Sequence, residues 1–97
     1  MGVYKLSRRA EFDLAGMYGE GIFKFGLLQA RKYFLEMHDA FGVLAENTDL
    51  GRDASDFIPD LKRFALKAHT IFYLTTTDEI FIIRVLSQRM DYERYLF

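Results

Sequence analysis

The sequence predicts an α+β fold in which a two-helix hairpin lies on an antiparallel sheet, and three observations lead there. Two early stretches, about 8–24 and 27–46, repeat apolar residues at helical spacing. Three later stretches rich in Ile, Phe, Tyr and Thr are separated by short polar turns. The alternating segment "VYKLS" (3–7) reads as a further strand ahead of the helices. The order strand, helix, helix, three strands suits helices gathered on one face of a sheet. At 97 residues the chain is expected to form one domain, 1–97.

Each element has its own local reason. Ser7 can cap the first helix, and Ala10, Leu14, Met17 and Gly21 form its stripe, with Glu11 and Asp13 near the positive end of the helix dipole. Gly16, Gly19 and Gly21 each cost roughly 1 kcal/mol relative to Ala in a helix interior, so a close neighbour or loose helix ends are expected there. Gly26 in "KFGLLQ" breaks the pattern, and the second stripe is Ala30, Phe34, Met37, Phe41 and Leu44. The short connection predicts an antiparallel hairpin. "ENTDLGRD" supplies turn chemistry, and a loop at 52–60 holds the single proline, Pro59. "LKRFAL" (61–66), "HTIFYLTT" (69–76) and "EIFIIRVL" (79–86) then form an antiparallel meander.

Strand alternation places Ile80, Ile82, Arg84 and Leu86 on one face and Phe81, Ile83 and Val85 on the other. Ile71 and Tyr73 oppose Phe72 and Leu74 in the same way. Both faces are apolar, and a helical hairpin covers only one. The second face is therefore expected to meet a partner; the alternative is that the 52–60 loop and the tail fold over it.

Composition narrows the function. Ten Phe and six Tyr argue against disorder, and the absence of cysteine removes disulfides, thiolate nucleophiles and thiolate zinc sites. A net charge of −1 argues against binding nucleic acid through overall charge, so no direct sequence-specific nucleic-acid binding is expected. No apolar run approaches the roughly 18 residues that span a bilayer, and no secretory signal opens the chain. Gly2 only superficially suggests acylation, because Ser7 falls one place late. A cytoplasmic protein is expected.

Catalytic chemistry is sparse. His38 sits beside Asp39, but adjacent helical residues diverge, and His69 at the start of a strand reads as a turn histidine. No nucleophile motif, phosphate-binding glycine loop or metal-ligand spacing is present, so no catalytic residue, metal or cofactor is expected. The carboxylates Asp49, Asp53, Asp56 and Asp60 read as a solvated loop. A basic set remains: Lys62, Arg63, Lys67, Arg84, Arg89 and Arg94. Arg84 interrupts an apolar strand and must reach an edge, a carboxylate such as Asp91, or a partner.

Taken together, "YKLSRRAEFDLAGM", "FGVLAENTDLGR", "FALKAHTIFY" and above all "IIRVLSQRMDYERYL" resemble the ParE branch of the RelE/ParE toxin superfamily. The resemblance covers nearly the whole chain in order. It departs at Ser87, where ParE-like chains commonly carry histidine. The resemblance implies a RelE/ParE-like fold with a short C-terminal helical segment. It also implies a toxin of a type II toxin–antitoxin pair that acts on DNA gyrase and is neutralised by a ParD-like antitoxin carrying the DNA-binding region. The effector surface would be Arg84, Arg89, Met90, Asp91, Tyr92 and Arg94 within "RVLSQRMDYERYLF". Tyr18, Ile22, Phe34 and Phe41 would receive an apolar antitoxin helix, with Arg63 or Arg84 meeting an acidic stretch. The runner-up on the same fold is a RelE-like ribosome-dependent messenger-RNA endonuclease using Arg63, Arg84 and Tyr92.

Overall fold

The computed structural model describes residues 3–96; Gly2 and the terminal Phe97 lie outside them. The elements run β1 (Val3–Leu6), α1 (Arg8–Phe25), α2 (Leu27–Glu46), β2 (Arg52–Asp53), β3 (Lys62–Leu66), β4 (His69–Thr75), β5 (Glu79–Ser87) and α3 (Tyr92–Leu96). The five strands are ordered β1-β5-β4-β3-β2. The meander β3–β4–β5 is antiparallel, as expected, and β1 joins its far edge parallel to β5. A parallel neighbour needs a long crossover, and here everything between β1 and β5 supplies it. One correction concerns the 52–60 loop: its first two residues pair with β3 as β2.

Gly26 alone separates the two helices. Its φ of 88° and ψ of 163° lie in a region reserved for glycine, its N–H bonds Ile22 O and its carbonyl receives Ala30 N. The tight turn brings Gly21 against Ala30, where an added Cβ would meet the Ala30 Cβ at 3.2 Å. Gly21 therefore serves helix packing, whereas Gly16 and Gly19 face open space.

Two apolar clusters sandwich the sheet. The helix-side core holds Ala10, Leu14, Met37, Phe41, Leu44, Ile71, Tyr73, Ile80, Ile82 and Val85. Both helical stripes land there. The second cluster, Ala54, Leu61, Phe72, Leu86 and Leu96, is covered by Phe57, Ile58 and Tyr92. The loop and the C-terminal segment thus close the second face. The expected partner-seeking sheet face is not what the chain presents.

A bulge corrects the alternation along β5. Phe72 pairs with Arg84 but Tyr73 pairs with Ile82, leaving Ile83 as an extra residue. One extra residue inverts the side-chain parity beyond it. Ile80, Ile82 and then Val85 consequently face the helices, while Leu86 joins the opposite cluster.

Candidate functional site

The edge of β5 shows how the C-terminal segment is held. β1 ends at Leu6, so β5 has no strand neighbour on that side beyond Ile82. Ser7 and Asp13 take the strand's place. Ser7 N–H donates to Ile82 O at 2.9 Å and its hydroxyl to Ile83 O at 2.7 Å, while the same oxygen accepts Ala10 N–H as the α1 cap. One turn later the Asp13 carboxylate accepts Val85 N–H at 2.9 Å.

That carboxylate also accepts Arg84 Nε at 2.8 Å and Nη2 at 2.9 Å, a bidentate pair. The third guanidinium nitrogen, Nη1, donates to the carbonyl of Tyr95 in α3. Arg84 therefore binds Asp13 rather than Asp91, a further correction. Both side chains are only 14% exposed. The Asp13 hydrogen bonds raise the Arg84 pKa above its ordinary value, against the opposing effect of burial. A cation at a helix C-terminus also complements the dipole there. The Arg84 charge is engaged internally and clamps α3 to α1.

The C-terminal segment divides into an inward and an outward side. Tyr92 packs edge-on against Phe72 at 5.0 Å and Phe57 at 6.2 Å, its hydroxyl lies 2.9 Å from Thr70 Oγ1, and Leu96 is buried. Arg89, Met90, Asp91 and Arg94 are exposed. Ser87 stands directly across from His69, and its hydroxyl accepts Arg89 N–H at 3.3 Å.

The helical hairpin sorts its candidates differently. Phe41 is fully buried against Tyr4 and His38, so it is a core residue and not a receiving surface. Tyr18 and Phe34 are half-buried with their rings tilted against each other at 5.3 Å, and Ile22 is exposed. The most exposed apolar residues are others: Phe12, Phe23, Phe25, Leu27 and Leu28, with Phe23 90% and Leu28 84% exposed, and Leu35 is exposed as well. Their signal lies off the helical stripes, since Phe12 and Phe23 share a face of α1 with the bare Gly16 and Gly19 between them.

Two cavities flank the sheet. One of about 550 Å³ lies beside α3 and is lined by Arg52, Arg63, Thr70, Gln88 and Tyr92. Arg52 was hidden in a segment that reads as a loop. The other, about 510 Å³, lies between the hairpin and the β4–β5 end and holds Tyr33, Lys67, His69 and Arg89. Here Tyr33 O–H donates to Leu66 O at 3.1 Å and lies 2.8 Å from His69 Nδ1. Burial lowers the His69 pKa and raises that of Tyr33. Lys67 is tied to Glu36 at 2.6 Å. Among the described residues no cluster of three His, Cys, Asp or Glu side chains is placed to hold a metal, and no helix is long and apolar enough to cross a membrane.

Comparison with known proteins adds an independent line. The family model described as ParE toxin of type II toxin–antitoxin system, parDE, matches residues 4–92. The chain is 33% identical over 94 residues to Toxin ParE1 of Mycobacterium tuberculosis, covering 96% of both chains. It is 31% identical over 96 residues to Toxin ParE1 of Caulobacter vibrioides, covering 99% of both. A solved structure described as a chromosomal ParDE TA system from P. aeruginosa superposes with a TM-score of 0.77 at 22% identity, over 90% of this chain and 96% of that one. At that identity the superposition establishes the shared fold.

Proposed function

The chain belongs to the ParE toxin family of type II toxin–antitoxin systems, and from that premise we propose that it inhibits DNA gyrase in the cytoplasm, without chemistry of its own, until a ParD-like antitoxin neutralises it. The family match over residues 4–92 carries this reading. The exposed residues of the hairpin support the antitoxin half of it. Phe12, Phe23, Leu28 and Leu35 offer exposed apolar anchors on the hairpin, which suits a helix laid along it. Arg89, Met90, Asp91 and Arg94 are the accessible candidates for the gyrase contact. Arg84 and Tyr92 support them from beneath.

A supercoiling assay with purified gyrase tests the proposal. Inhibition of supercoiling, or accumulation of cleaved DNA, is expected on adding the purified chain and is abolished by its antitoxin. One observation favours a second reading: Arg63 and Tyr92 share a cavity with Arg52, an arrangement able to hold a phosphate. Arg84 does not take part, being paired with Asp13. Untouched gyrase together with cleavage of ribosome-bound message would establish the endonuclease reading instead.

A further inference from the structure

Arg52 and Arg63 stand directly opposite each other in the β2–β3 ladder. Directly opposed residues of an antiparallel pair project to the same face, and like charges there repel. The neighbouring rung of this short ladder places Asp53 opposite Lys62, so its charges are complementary. The repulsive rung is the one that faces the cavity. Among the described residues neither guanidinium has a carboxylate within ion-pair distance, although Lys5, Lys24, Lys62, Lys67 and Arg84 all do. Arg63 is also half-buried, which weakens the screening of its charge by water.

The opposite wall of the cavity supplies a further donor. Thr70 Oγ1 and the Tyr92 hydroxyl are 2.9 Å apart, and Thr70 is 4% exposed. Two hydroxyls carry two protons, and their mutual hydrogen bond uses one. The remaining proton is free to donate. Two guanidinium forks and an O–H on one cavity match the acceptor pattern of an oxyanion.

We propose that Arg52 and Arg63 form the receptor for a carboxylate of an acidic peptide, seated beside Tyr92 on the sheet face away from the helices. A peptide fits better than a nucleic acid for two reasons. Affinity for nucleic acid grows with the number of phosphates neutralised, whereas the cavity offers two arginines in a chain of net charge −1. Leu50 and Ala65 also line it and give an apolar side chain next to the carboxylate a place to rest. Assigning this peptide to the antitoxin rests on the function proposed above; the carboxylate site itself does not. An occupant here would abut α3, so binding would crowd the C-terminal segment directly.

The test is titration of the isotope-labelled chain, followed by NMR, with a short synthetic peptide alternating Glu and Leu. A Gln-for-Glu version and a short single-stranded oligonucleotide serve as the other arms. The Glu peptide should shift the Arg52 and Arg63 side-chain signals and the Tyr92 amide, and Arg52→Gln with Arg63→Gln should weaken its binding by roughly tenfold or more, since charge-assisted hydrogen bonds are lost. The double variant should melt no lower than the parent, because a like-charge rung has been relieved. Equal binding of the Gln peptide, undiminished binding by the double variant, or a lower melting temperature for it would each overturn the proposal. Shifts caused by the oligonucleotide and not by the Glu peptide would replace it with a phosphate site. Gyrase appears nowhere in this measurement, so failure here and failure of the gyrase reading show separately.

Discussion

Replacing Asp13 by Ala should be among the most damaging single changes outside the apolar core. The carboxylate accepts three hydrogen bonds, from Arg84 Nε, Arg84 Nη2 and Val85 N, all between 2.8 and 2.9 Å. Its removal strands a guanidinium whose side chain is 14% exposed. Breaking one side of a buried pair costs about 3–5 kcal/mol, and an orphaned N–H adds about 1–3 kcal/mol. Water reaching the residual exposed edge offsets part of that sum. A net loss of about 3–5 kcal/mol is expected, which in a domain of this size lowers the melting temperature by roughly 12 °C or more. Circular-dichroism melts and urea titration measure it. The control is Arg84→Met in the Asp13→Ala background. Removing both charges also removes their desolvation cost, so the double variant should be more stable than Asp13→Ala. A loss below about 1 kcal/mol, or strict additivity in the double-mutant cycle, would refute the reasoning.

Gly26→Ala should cost about 1–3 kcal/mol, because φ 88° with ψ 163° is open essentially to glycine alone; chemical denaturation reads this directly. Burial holds the His69 pKa below its ordinary 6.5, so the unfolded chain binds a proton that the folded chain refuses. Stability should thus be full above pH 6.5 and fall as the pH drops from there toward the folded value, and His69→Gln should flatten that slope in melts across the window. Reversing Arg89 and Arg94 to Glu together should leave the melting temperature within a few degrees of the parent, since both are exposed. The same pair of changes should abolish gyrase inhibition, and a folded, fully inhibitory variant would remove both arginines from the contact surface.

The helices were legible because their signal is local. Ala10, Leu14, Met37, Phe41 and Leu44 are all buried, as a period of 3.6 requires. The bulge at Ile83 was not legible, because it depends on where β1 stops and where Ser7 and Asp13 take over the β5 edge. Asp13 and Arg84 are 71 residues apart, and no local pattern announces such a pair. β2 escaped for a different reason: Arg and Asp have little intrinsic preference for strands, and only the facing β3 makes them one. With β2 went Arg52, and with Arg52 the doubly cationic rung of the cavity. The exposed Phe23 and Leu28 lie off the periodic stripes that form the core, so helical spacing does not single them out.

The C-terminal segment has an inward, structural side and an outward, exposed one. Tyr92 and Leu96 complete the second apolar cluster, and Arg84 holds the Tyr95 carbonyl. Fully burying a large apolar side chain contributes about 1.5–3 kcal/mol, so α3 is a structural cover of real consequence for stability. Its other side presents Arg89, Met90, Asp91 and Arg94 to solvent. These roles are not alternatives, because packing on the inward side fixes the placement of the outward one. Truncation at residue 91 removes both together, and lost activity would then report exposure of Phe72 and Leu86 as readily as loss of a contact surface. Only substitutions confined to the outward side separate recognition from folding, and the Asp13–Arg84 clamp gives the complementary case in which the outward residues are intact but their platform is loosened.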